Sequence, residues 1–267
     1  MKKISYEFIR RELWWRFSPR YYCPICHARY PFLPFKSPLC KRPFPGVQCP
    51  ACGSVWRTRF LYLICQLLFL NRQDSLTIVH TAPEQALWQV FRQKKNWNYI
   101  PIDLFPEKFP DEYGCIKADL TQLPFEDRSV DYFVSSQVLE HVPNESVALQ
   151  EINRVLKPSG KAILCLPVSD NSQTQEESDI RQQQAIDREL SNDERLEYFG
   201  QSDHVRLYGQ DILSHFQQAH FSVNQIQPQY IFPQSFLKTL GNPGLSFDNN
   251  RLHLDVNQFY LLEIPER

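Results

Sequence analysis

The chain has 267 residues, 42% of them hydrophobic, which is room for one full α/β domain plus a small module. Its net charge is −1, yet residues 1–60 hold twelve Lys/Arg against two Asp/Glu, so a basic N-terminal module precedes an acidic body. A membrane span is excluded on length: the most apolar run, Phe60–Leu70, falls far short of the ~20 residues a bilayer needs and reads as a buried helix.

Residues 1–20 carry Lys and Arg throughout and lack an apolar h-region, so no secretory signal is expected there. Ile4, Phe8, Ile9 and Leu13 form an apolar stripe, which predicts a docking helix or, alternatively, contact with a membrane surface. The basic residues alternate with Trp14, Trp15, Tyr21, Tyr22, Tyr30 and Trp56. That mixture suits nucleic acid or another anionic partner, or docking onto the acidic body of the same chain.

Eight cysteines follow, at 23, 26, 40, 49, 52, 65, 115 and 165. Cys23-Pro-Ile-Cys26 and Cys49-Pro-Ala-Cys52-Gly53 are two knuckles, each able to turn two thiolates toward one ion. Together they predict a closed Cys₄ shell, the arrangement of structural zinc. Cys40 is expected to be a bystander; Cys65, Cys115 and Cys165 sit in apolar runs and read as core thiols. No disulfide framework is suggested, which fits a reducing cytoplasm.

Ser75–His80 reads as a first buried strand, rich in β-branched residues. Pro83 suits the first turn of a helix that continues over Glu84–Lys95. Trp97–Asp103, Tyr113–Asp119, Val130–Ser136 and Lys161–Pro167 read as further strands, with a helix over Glu145–Leu156 closed by Pro158-Ser159-Gly160. Strands alternating with helices predict a parallel, doubly wound, Rossmann-like α/β sheet whose ligands sit at the carboxyl ends of the strands. Asp103 lies about twenty residues past the first turn, where a carboxylate reaches ribose hydroxyls in nucleotide folds.

The run from Cys115 to Pro167 resembles the second half of a class I S-adenosylmethionine methyltransferase domain of the type 11 kind. Over about residues 20–228 the chain resembles a subgroup that joins a zinc ribbon to such a domain. The shared motifs are the paired knuckles, Gly53, Ser54, Arg57 and Arg59, the turn His80-Thr81-Ala82-Pro83-Glu84, and the late run Phe199-Gly200-Gln201-Ser202-Asp203-His204-Val205-Arg206-Leu207-Tyr208-Gly209. A more distant similarity is to rRNA guanine methyltransferases that also carry a Cys₄ ribbon. Residues 229–255 match no motif.

The resemblance implies S-adenosylmethionine as cofactor and structural zinc. It implies residues 1–60 as the ribbon and 61–267 as the catalytic domain, with an insertion at 169–203. On the cofactor side it implies His80, Ala82, Glu84, Asp103, Asp119, Leu120 and Ser136. Ala82 and Ala86 stand where a glycine-rich turn is usual, Glu84 pairs with the methionine ammonium, and Asp119 and Leu120 face the adenine. On the acceptor side, His204 is the expected base for an oxygen or nitrogen nucleophile, oriented by Asp203. His141, Arg206 and Tyr208 are the expected substrate contacts, and a salt-bridged corner fixing the insertion is the competing role for the late motif. Either Asp alone also reads as a helix cap or turn carboxylate. Two other functions stay open: an RNA-directed methyltransferase gripping nucleic acid through residues 1–60, and a non-catalytic scaffold keeping the fold.

Overall fold

The structure, a computed structural model, describes residues 20–35, 44–240 and 257–265. The expectations for Ile4, Phe8, Ile9, Leu13, Trp14, Trp15 and Cys40 lie outside the described residues.

Strands that are apolar on both faces need cover on both faces. Along the central strands Val79, Phe133 and Leu164 turn to one side and Ile78, Tyr132 and Ile163 to the other, all buried. The strands concerned are β5 (Thr77–Thr81), β6 (Asn98–Asp103), β7 (Ile116–Lys117), β8 (Val130–Ser136) and β9 (Leu156–Pro167). They pair in parallel in the order β9-β8-β5-β6-β7. Two later strands, β12 (Ser222–Ile226) and β13 (Asn257–Glu263), complete a seven-stranded sheet. β13 lies antiparallel to both β9 and β12, so it is the one reversed strand.

One face is covered by α3 (Glu145–Val155) and α6 (Ile212–Gln218). α3 buries Ala148, Leu149, Ile152 and Val155, the helical stripe its sequence spells, and Asn144 caps its start by accepting from Val147 N–H. The other face is covered by α1 (Trp56–Cys65), extended by a π-helical turn at Gln66–Leu70, and by α2 (Gln85–Phe91). The apolar run at 60–70 is thus the buried helix the sequence predicts, and residue 60 lies inside it. Among the described residues no helix is long and apolar enough to cross a membrane.

Several expected boundaries need correcting. α2 starts after an N-cap at Glu84 and ends at Phe91, so Pro83 precedes the helix rather than opening it. The third strand shrinks to Ile116–Lys117, because Tyr113 sits in a 3₁₀ turn stacked 4.0 Å from the Trp88 ring. Cys115 is half-buried beside that turn and is not a core thiol, whereas Cys65 and Cys165 are.

N-terminal to the sheet, β1 (Arg20–Tyr22) pairs β2 (Arg29–Pro31) and β3 (Leu33–Phe35) pairs β4 (Phe44–Gln48), two small antiparallel ladders carrying the knuckles. After β9, the segment beyond Ser169 forms β10 (Gln175–Glu176), α4 (Glu177–Gln184) and α5 (Asn192–Phe199), with β10 paired to β11 (Arg206–Leu207). It has its own small core of Ile180, Leu190, Phe199 and Leu207, so the insertion is a folded unit and not a loose loop.

Candidate active site and cysteine cluster

The chain runs from β5 outward to β6 and β7, then returns to β8 on the other side of β5. The reversal puts a topological switch point between β5 and β8, the place where open α/β sheets hold ligands. Both strands end in a left-handed residue: Ala82 follows β5 with φ +44°, and Gln137 follows β8 with φ +56°. Non-glycine residues rarely adopt that conformation, and strain of this kind gathers at ligand sites.

Ala82 therefore does the backbone work of a glycine without being one. Ala86, the other expected glycine substitute, is simply buried in α2. Glu84 lies beside the turn with its side chain 21% exposed. Its Oε2 lies 3.0 Å from His80 Nε2, and His80 Nδ1 lies 3.0 Å from the Tyr99 hydroxyl. His80, expected on the cofactor side, is fully buried with both nitrogens engaged, by Tyr99 and Glu84. The second oxygen of Glu84, Oε1, is buried without a partner and can accept from a ligand.

Asp103 ends β6, half-buried, with Oδ1 accepting from Phe105 N–H at 2.8 Å. Asp119 is exposed; its Oδ1 accepts from the backbone N–H and the hydroxyl of Thr121, at 2.8 and 2.7 Å. Leu120, next to it, is buried in the core. Ser136 closes β8 with a buried hydroxyl beside the Cys165 thiol, while its neighbour Ser135 accepts from Thr81 Oγ1 at 2.8 Å.

The late motif folds onto the turn after β8. Arg206, 2% exposed, donates to the carbonyls of Leu139, Val142 and Pro143 and to Glu176. Tyr208, fully buried, donates to Glu145, whose other oxygen meets His215. Both are expected substrate contacts; the structure turns their polar atoms inward, onto the turn after β8, Glu176 and Glu145, the geometry of the competing corner role. Asp203 was expected to orient His204. It faces His141, whose Nδ1 lies 3.1 Å from the Asp203 carbonyl oxygen and 3.4 Å from its carboxylate.

His204 itself is 1% exposed and Glu140 0%. Neither side chain makes a well-formed hydrogen bond among the described residues, although the Phe199 backbone bears on the His204 ring and the Glu140 backbone on its own carboxyl. Burial, assisted by the neighbouring His141, pulls the His204 imidazole down to about 4. Burial likewise pushes the Glu140 carboxyl up to about 8. Near neutral pH both groups therefore sit on the uncharged side. Glu140 also feels the charges of Arg57 and Arg206. Arg57, on the first turn of α1, has a buried Nε without a partner. Its position was part of the resemblance but carried no role; charge near a strand end is visible only once α1 is folded over the sheet.

The four knuckle cysteines converge, all sulfurs within 4.8 Å of one another. Cys23 and Cys52 are 3.6 Å apart, Cys26 and Cys49 3.7 Å. Sulfurs bound at ~2.3 Å to one tetrahedral ion stand about 3.8 Å apart, so the donor set fits zinc and not a disulfide. Ser54 Oγ approaches Cys52 at 3.1 Å and Cys23 at 3.5 Å. Beneath the cluster lies Arg59, fully buried, its guanidinium 4.4 Å over the Phe32 ring. It bonds the Ser54 carbonyl and, at 2.8 Å, that of Leu240. Burial lowers it to about 10, and the cysteines oppose that shift, so it stays cationic at neutral pH beside the sulfurs.

Sheet order, the single reversed strand and the position of the switch point define a class I methyltransferase fold, with a cysteine cluster near its N-terminus. Residues 67–164 match the family described as Methyltransferase domain. A 72-residue stretch is 50% identical to demethylmenaquinone methyltransferase of Staphylococcus haemolyticus, covering 27% of this chain and 30% of that protein. The enzyme of the same name from Staphylococcus aureus is 48% identical over 54 residues, 20% of this chain and 22% of that protein. The chain thus spans less than a third of the length of these curated relatives. Among solved structures, phosphoethanolamine N-methyltransferase 2 of Haemonchus contortus, in complex with S-adenosylhomocysteine, aligns at TM-score 0.44 and 15% identity over 78% of this chain and 53% of its own. The 1,6-didemethyltoxoflavin-N1-methyltransferase of Burkholderia thailandensis aligns at 0.44 and 10%, over 78% and 76%.

Proposed function

We propose that this protein is an S-adenosylmethionine-dependent methyltransferase acting on an oxygen or nitrogen nucleophile, with a structural zinc ion in its Cys₄ cluster. One observation carries the reading. The buried side-chain atoms left without partners include Glu84 Oε1, beside the end of β5, and Arg57 Nε on α1. Buried polar atoms are nearly always paired, so unpaired ones at a switch point indicate a ligand that pairs them.

Glu84 would hold the methionine ammonium and Arg57 its carboxylate, with Ser136 beside them. Asp103 would hold the ribose hydroxyls, and Asp119 and Leu120 the adenine. When bound, the cofactor supplies an electrophilic methyl group on a sulfonium. What the chain must add is a positioned acceptor and a place for its proton. Glu140, His141 and His204 stand at that end, and His141, oriented by Asp203, is the member that reaches solvent. In the same proposal the ribbon ends before α1, and the described cysteines, all free thiols, suit a reducing cytoplasm.

The nucleic-acid reading gains no support from the fold. Eight of the twelve basic residues in 1–60 lie outside the described residues, and Arg59 is buried under the cysteines.

Calorimetry with S-adenosylhomocysteine on the zinc-loaded full chain tests the proposal. Wild type is expected to bind one equivalent, and Glu84→Gln to bind about tenfold more weakly, the loss of one charge-assisted hydrogen bond. Absence of binding by the wild-type protein would overturn it.

A further inference from the structure

Three side chains meet at the acceptor end. Glu140, His141 and His204 each bring one donor atom to within 4.8 Å of the other two. Glu140 and His141 come from the 3₁₀ turn after β8, His204 from the end of the insertion. The two segments are locked together: Val205 N–H donates to the Glu140 carbonyl at 3.1 Å, and Arg206 grips three carbonyls between 139 and 143.

Both carboxyl oxygens of Glu140 and both ring nitrogens of His204 are buried, and none makes a well-formed hydrogen bond, although the Phe199 backbone bears on the His204 ring and the Glu140 backbone on its own carboxyl. Buried polar atoms are nearly always well paired, so poorly paired ones gathered in one place point to a ligand. A free general base would need one unpaired nitrogen and would not need a buried carboxylate beside it. His141 differs in a way that also points to a ligand. Its Nδ1 faces the Asp203 carbonyl, so that nitrogen carries the proton and Nε2 keeps the lone pair. A backbone carbonyl fixing the tautomer in this way is the usual second-shell partner of a metal-bound imidazole. The rings of His141 and His204 stand edge to face, 4.6 Å between centroids, which keeps both nitrogens free of stacking.

We propose that Glu140, His141 and His204 form a site for a divalent transition ion, with zinc or cobalt chemistry, distinct from the Cys₄ cluster. Two imidazoles and one carboxylate are an established donor set for such ions. Donors at ~2.1 Å from one ion stand about 3.4 Å apart in tetrahedral geometry, so the three have only a short way to close. The ion would give these poorly paired atoms a partner. Three protein ligands leave a coordination position open, and His141, 30% exposed, marks the route from solvent. Ion binding stands apart from the methyltransferase proposal; its use in the reaction rests on it. An acceptor hydroxyl in the open position would lose its proton to water, and its oxygen would then take the methyl group as the thioether leaves.

The test uses the full chain with the Cys₄ cluster saturated with zinc. Co²⁺ is added and followed by calorimetry and visible absorption. One further equivalent is expected to bind, with weak ligand-field bands and no intense sulfur-to-cobalt charge transfer. Glu140→Gln and His141→Asn should each weaken it by more than about tenfold, with bound zinc unchanged, since even second-shell losses cost that much. No further Co²⁺ bound by wild type would overturn the proposal, as would sulfur bands showing exchange at the cysteines alone, or unchanged affinity in both variants. S-adenosylhomocysteine binding, measured on the same samples, separates the two proposals: its loss with Co²⁺ binding intact counts against the methyltransferase reading only.

Discussion

Replacing Arg206 with methionine separates a structural corner from a substrate ligand. The guanidinium donates to three carbonyls, at 2.9, 2.6 and 3.0 Å, and to Glu176 at 2.8 Å, while only 2% exposed. Methionine keeps most of the apolar volume but leaves those carbonyls and a carboxylate unpaired. Breaking a buried, hydrogen-bonded charge of this kind costs about 3–5 kcal/mol. For a chain of this size that is a fall of roughly 10 °C in melting temperature. Urea unfolding followed by circular dichroism gives the free energy, and limited proteolysis should show α4 and α5 cut first. Arg206→Lys should recover less than half of the loss, because one ammonium cannot span three carbonyls and a carboxylate. A loss below about 1 kcal/mol in Arg206→Met, together with weakened acceptor binding, would refute the corner and restore a substrate contact.

Two further outcomes follow from single residues. The hydrogen bond that His215 donates to Glu145, reinforced by Asp211, holds the His215 imidazole above its usual value. A raised folded value means that this stabilisation is complete below the unfolded pKa of about 6.5 and is lost as pH rises through the folded pKa. NMR titration and urea melts on either side should show it, and Glu145→Gln should abolish the pH dependence; an unshifted histidine would refute the pairing. At Ala82, φ +44° costs a residue with a Cβ about 1–2 kcal/mol, against ~0.5–1 kcal/mol of extra chain entropy for glycine. Ala82→Gly should therefore be neutral or slightly stabilising and Ala82→Val destabilising by more than about 1 kcal/mol in thermal melts; marked destabilisation by glycine would show that the methyl group is needed.

The fold was legible where burial repeats with a regular period. Val130–Ser136 matches its strand residue for residue, and α3 differs from its prediction by one residue, because apolar runs and a capping Asn announce both. β13 was missed: it is reversed and pairs with β9 across nearly a hundred residues of chain, and pairing at that distance leaves no local pattern. The cysteine cluster could be read directly, since metal-ligand spacing is written in the sequence. The roles of the late motif could not. Asp203, His204, Arg206 and Tyr208 are adjacent polar residues, and only the folded chain shows that two of them point into the corner, one faces His141 and one is sealed beside Glu140. Nor does a sequence reveal that His80 is spent on holding Glu84.

Arg59 gives the molecule an order of assembly. It sits among residues made early, under the cysteines, yet one of its partners is the carbonyl of Leu240, 181 residues later. Trp56 and Phe60, on the same helix, meet the ring of Phe259 on β13. A nascent chain can close its metal knuckles as soon as Cys52 has emerged, but the cation beneath them waits for nearly the whole polypeptide before it is fully satisfied. The seat of the cysteine cluster thus depends on contacts across 181 residues and more, and such contacts form slowly. Any truncation before residue 240 takes the Leu240 carbonyl from a buried positive charge, so the seat of the cysteine cluster depends on residues far along the chain.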